Sequence, residues 1–132
     1  ARSRALAGTE MSSPGLAQRI EWIEAGYEFL LAYAAQGRRN DDGSEVRRML
    51  TQMQLALDGL GEVVNGSFTA NPPRDGAVFL ETVGRDARIA HSAIALVLSR
   101  PAISSLLIDN LNASIHLRAL LTDLFLIDQA LK

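Results

Sequence analysis

The longest hydrophobic rhythm in the chain runs from Ile103 to Leu131. Ile103, Leu106, Asn110, Ala113, Leu117, Leu120, Leu124, Ile127 and Leu131 recur at alternating steps of three and four. A helix turns once in 3.6 residues, so this rhythm draws one stripe along one face, apolar except at Asn110. Three shorter stretches repeat it. Leu16, Ile20, Ile23, Tyr27, Leu30 and Ala34 form the first stripe, opened by Ser13-Pro14 and stopped by Gln36-Gly37. Ser is a helix cap, Pro suits the first turn, and Gly takes the left-handed conformation just past a helix end. Ser44 opens the second helix, whose stripe is Val46, Leu50, Met53, Leu57, Leu60 and Val64, widened by Met49, Ala56 and Val63 and ended at Asn65-Gly66. Gly59 and Gly61 weaken its last turns by about 1 kcal/mol each relative to Ala.

A connection from Gly66 to Gly76, containing Asn71-Pro72-Pro73, leads to the third helix. Leu80, Val83, Ala87, Ala90, Ile94 and Val97 make its stripe, and Gly84, Ala87 and Ala90 keep its middle slim enough for a close neighbour. Ser99-Arg100-Pro101 breaks it, and Pro101 is expected to open the fourth helix. Asp109-Asn110-Leu111-Asn112 offers capping residues, so that helix is either one long rod, the favoured expectation, or two pieces divided near Asn110. No alternating strand pattern and no solenoid-length repeat is present. The pattern therefore predicts an all-α fold, an antiparallel four-helix bundle over residues 13–132. Residues 1–12 are expected to be a flexible arm or an appended, non-native tail, with Met11 a natural start.

Composition narrows the function classes. At 132 residues the chain is large enough for one domain with its own core. A net charge of −2 gives no push toward nucleic acid or an anionic membrane. There is no cysteine, which excludes disulfides, thiolate metal sites and a Cys nucleophile. Lys132 is the only lysine beside twelve arginines, a bias that suggests GC-rich codons and a bacterial source. With no signal-peptide pattern and no membrane-length apolar run, a cytoplasmic location is the expectation.

Candidate chemistry is sparse. Di-iron bundles need Glu-x-x-His pairs, but Arg88 precedes His91 by three and Ala113 precedes His116 by three. Glu21, Glu24 and Glu28 share a face with Arg19 that reads as solvated. No metal and no cofactor is expected. Two apolar surfaces remain after the four stripes are used. On the first helix Trp22, Phe29 and Tyr33 form a second line, with Gly26 between them leaving room for an inserted group. On the fourth, Ile108, Leu111 and Ile115 point away from the main stripe and are expected to meet a twofold mate.

The stretch Arg85-Asp86-Ala87-Arg88-Ile89-Ala90-His91 is similar to the signature of HEPN-domain ribonucleases. Those are small dimeric helical bundles, and the resemblance implies Arg85 steadying an RNA phosphate while His91 handles the 2′-hydroxyl proton. Histidine phosphotransfer domains are also four-helix bundles. Their His is followed three residues later by Lys and then Gly, where this chain has Ile94 and Ala95.

The functional expectation is a non-catalytic helical protein-interaction module (an adaptor, small chaperone or regulator) that forms a homodimer and binds an unidentified protein. Trp22, Phe29, Tyr33, Ile108, Leu111 and Ile115 are its expected contact residues. Nucleic acid and membrane are not expected partners. The alternatives are a metal-independent ribonuclease dimer using Arg85 and His91, and a small-molecule sensor with an apolar pocket lined by the first helix.

Overall fold

The computed structural model describes residues 14–68 and 75–132, and these form six α-helices and no strand. They are α1 (Leu16–Ala34), α2 (Val46–Leu57), α3 (Leu60–Gly66), α4 (Ala77–Leu98), α5 (Ser105–Ile115) and α6 (Leu117–Ala130). The expected arm, the Ser13 cap and the Asn71-Pro72-Pro73 turn lie outside the described residues. No helix is long and apolar enough to cross a membrane among the described residues.

The first and third stripes fold as the periodicity predicts. In α1, Ile20, Ile23 and Leu30 are buried, and Gly37 adopts φ +65° just beyond the helix end. The Ser44 hydroxyl accepts the Val46 N–H at 3.0 Å at the start of α2. In α4 the buried face is Leu80, Val83, Gly84, Ala87, Ala90, Ile94 and Val97. Its slim middle is used: a Cβ on Gly61 would lie 3.1 Å from the Gly84 Cα. The two backbones meet there, so α3 and α4 pack closely only because both positions lack a side chain.

The second and fourth stripes are each broken. Gly59 takes the left-handed conformation at φ 68°, separating α2 from α3. The carbonyls freed at the end of α2 are satisfied by Arg19 from α1. Its guanidinium donates to Ala56 O at 3.1 Å and to Asp58 O, and its Nε donates to Pro14 O at 2.7 Å. Arg19 is therefore a buried cap for a neighbouring helix, not part of the solvated face expected from Glu21, Glu24 and Glu28. Burial opposes its charge and lowers its pKa, while Asp58 partly restores it.

The fourth stretch begins later and breaks later than its pattern suggests. Ser104, not Pro101, caps α5, its hydroxyl accepting the Leu107 N–H at 3.0 Å. The division falls at His116, not near Asn110, and His116 is the one non-glycine residue with positive φ among the described residues, at 48°. That conformation costs a non-glycine residue about 1–2 kcal/mol. It is offset by what it lets both sides bury. Ile115 and Leu117 are two residues apart, which on one continuous helix would put them about 200° apart. With the chain reset between them, Ile108, Leu111 and Ile115 of α5 and Leu117, Leu120, Leu124 and Ile127 of α6 all enter the core.

A polar knot ties the α1–α2 connection to the start of α5. Tyr33 is buried and its hydroxyl donates to Ile103 O at 2.6 Å. Ser105, also buried, donates to Tyr33 O at 2.7 Å and accepts the Arg38 N–H at 2.8 Å. Asp41 accepts the Ile103 N–H at 2.9 Å and pairs with Arg47 at 2.7 Å. The Arg47 hydrogen bond, then that from Ile103, holds the Asp41 carboxyl below the ordinary carboxylate range. A depressed folded-state pKa stabilises the fold above the ordinary carboxylate value and stops doing so as pH falls through the depressed one. Asp123 behaves oppositely. Burial, and then the nearby Asp86, raise its pKa, so its contribution is present below the ordinary value and lost as pH rises through the raised one. Chemical denaturation from pH 2 to 7 should therefore show Asp41→Asn flattening the acid limb of the stability curve, and Asp123→Asn raising stability at pH 7. Superimposable curves for wild type and both variants would contradict these assignments.

Candidate functional site

The residues expected to contact partners divide between core and surface. Ile108 is 0% exposed, Leu111 5% and Ile115 7%. They are spent inside the chain, where α5 packs on α1 and α4, so the twofold face expected there is corrected. The reason is the His116 break, which turns the first half of the fourth stripe over. The stripe residues of that half, Leu106, Asn110 and Ala113, face out instead.

The aromatic line on α1 also does not form one groove. Tyr33 is a core residue bonded as described, with its ring 6.2 Å from that of Phe29 and the Arg38 guanidinium 5.4 Å from its centre. Phe29 is half-buried against the core. The space left by Gly26 is filled from within the chain, because a Cβ there would collide with the Met53 side chain. Trp22 alone borders an open cleft, shared with Arg47, Arg48, Thr51, Gln52 and Leu55 of α2.

Arg85 and His91 lie on α4, six residues or about 240° apart around the helix. Arg85 is exposed and His91 is partly covered, with its carbonyl accepting the Gln54 amide at 3.4 Å. Neither lines the clefts bordered by Trp22, Phe79, Asp123 or Ala93. Among the described residues no cluster of three or more His, Asp or Glu is placed to hold a metal.

An apolar cleft of about 270 Å³ does exist, but α1 does not line it. Phe79 and Leu80 of α4 and Leu126, Ile127 and Ala130 of α6 form it with Phe68. A second cleft, between α1 and the α5–α6 break, mixes polar and apolar groups: Tyr27, Asn112, His116, Leu117 and Asp123 border it. The Asn112 Nδ2 donates to Leu30 O at 3.3 Å, while its buried Oδ1 has no partner among the described residues.

One exposed apolar surface was not anticipated. Ala93, Leu96 and Val97 of α4 and Leu107, Asn110, Leu111 and Ser114 of α5 line a groove of about 170 Å³. Along its rims Ile89 is 50% exposed, Leu96 67% and Leu106 69%. Ile89 stands one turn before Ala93, and Leu106 one turn before Asn110, so both extend the groove's edges. The signal on α4 is legible: Ile89, Ala93 and Leu96 step by four and three beside the core stripe. On α5, Leu106 and Asn110 read as core and Leu111 as outward until the break is known.

No protein-family model matches this chain, and no curated protein or solved structure matches it either.

Proposed function

We propose that this chain is a cytoplasmic, non-catalytic helical protein-interaction module that self-associates. We take its six helices as an antiparallel four-rod bundle, with α2–α3 and α5–α6 each acting as one broken rod. The observation that supports an interaction role is the apolar band along the α4–α5 groove, where Ile89, Leu96 and Leu106 stand half or more exposed. Large apolar side chains exposed singly are common on any surface, whereas several gathered around one groove mark a contact surface. Helix-in-groove recognition uses this arrangement, with anchors at helical spacing entering a trough between two rods. The pairing of Trp22 with Leu55 on the opposite face offers a second contact.

The test is photo-crosslinking in the source cell from a probe placed at position 96, 106 or 31. Leu31 is also exposed, but it lies on α1 away from the groove. Crosslinks to protein from 96 and 106, and none from 31, are expected whether the partner is another copy or a different chain. Silence from both groove positions would overturn the interaction role of this surface.

A further inference from the structure

The α4 edge of the groove is complementary to itself. Asp86 lies seven residues before Ala93 and Arg100 seven after it. Seven residues are close to two full turns, so all three fall on nearly one line. Between them Ile89 and Leu96 flank Ala93 at four and three residues, and both are exposed. Arg100 stands just past the helix end, where its N–H still bonds to Val97 O at 3.1 Å. Its guanidinium makes no ion pair among the described residues. The Asp86 carboxyl also has no cationic partner among them, and it faces Asp123 closely enough to raise the pKa of that carboxyl.

We infer that α4 pairs antiparallel with α4 of a second copy of this chain, about a twofold axis passing beside Ala93. This rests on the interaction reading of the groove and names its occupant. The axis sets position 86 of one copy opposite position 100 of the other, and does so twice. Each Asp86 gains an Arg100 from its mate, and the small Ala93 lets the two helices approach. Ile89 of each copy falls beside Leu96 of the other, closing the apolar stripe. The exposed edge of α5, with Leu106 and Asn110, extends the same surface. An isologous contact needs one patch that matches its own image, and the charge order on α4 supplies that match. A different protein helix would need acidic and basic groups placed at the same spacing to fit as well.

Sedimentation equilibrium of the full chain, over a wide concentration range at low and moderate salt, tests this. Wild type should be dimeric, and Asp86→Arg or Arg100→Asp alone should weaken association by about tenfold or more, because like charges then face each other. The double variant Asp86→Arg with Arg100→Asp restores opposite charges across the axis and should recover most of the loss. Arg100 is exposed and Asp86 half-buried at the helix edge, outside the core cluster, so helical circular dichroism should be unchanged in all variants. A wild-type monomer throughout the range would overturn the twofold pairing, as would a dimer indifferent to both single reversals or not rescued by the double one. Crosslinks from positions 96 and 106 to other proteins, found together with a monomer, would leave the interaction reading standing and remove only this occupant.

Discussion

Leu111→Asp is expected to unfold the chain. Leu111 is buried at the join of α5 with the rest of the core, and lines only the floor of the α4–α5 groove. A carboxylate there would lose water and find no cation, at a cost on the order of 5 kcal/mol, and burial would push it toward the protonated form. Small domains hold only about 5–15 kcal/mol of stability in total. Far-ultraviolet circular dichroism and a urea titration should show loss of helix or a midpoint near zero. A folded variant with native stability would mean that Leu111 faces outward, as a continuous fourth helix would have it.

Leu120→Ala is the second large effect. Leu120 of α6 is 2% exposed and sits in the core cluster with Leu117, Leu124 and Ile127. Removing its branched end loses apolar burial and leaves a cavity that fixed neighbours cannot close, about 2–5 kcal/mol together. Urea denaturation should show a lower midpoint with an unchanged slope, since the folded structure and the surface exposed on unfolding stay the same. An unshifted midpoint would remove Leu120 from the core.

The sequence carries the helical class and most of the core, because a 3.6-residue period survives wherever a helix is unbroken. Val46, Leu50, Met53 and Leu57 show this for α2, and Val83, Ala87, Ala90 and Ile94 for α4. What it hides are events of one residue. His116 has no glycine-like freedom to advertise a left-handed turn, yet its conformation decides which face of α5 is core. That inverts the roles of Leu111 and Leu106, each of which fits an apolar stripe equally well on paper. Arg19 was hidden for a related reason. On paper it shares a face with Glu21, Glu24 and Glu28, and only the break at Gly59 creates the unpaired carbonyls that draw it inward. Gly26 shows the reverse case, a vacancy visible in sequence whose occupant, Met53, comes from another helix.

The exposed band on α4 follows from the same logic. Val97 and Leu96 are adjacent and so point about 100° apart around the helix. The chain buries Val97 and leaves Leu96 outside with Ile89. Surface apolar groups of that size favour association if left bare, and the contact proposed along α4 would cover them.

The central claim is that the α4–α5 groove, and not the Ile108–Leu111–Ile115 face, is the surface available to a partner. The most direct measurement compares Leu96→Asp with Leu111→Asp for both thermal unfolding and sedimentation. Leu96→Asp should keep the wild-type melting temperature and lose association, while Leu111→Asp should lose its cooperative melt. A Leu111→Asp protein that melts like wild type but no longer associates, beside a Leu96→Asp protein that still does, would contradict the account.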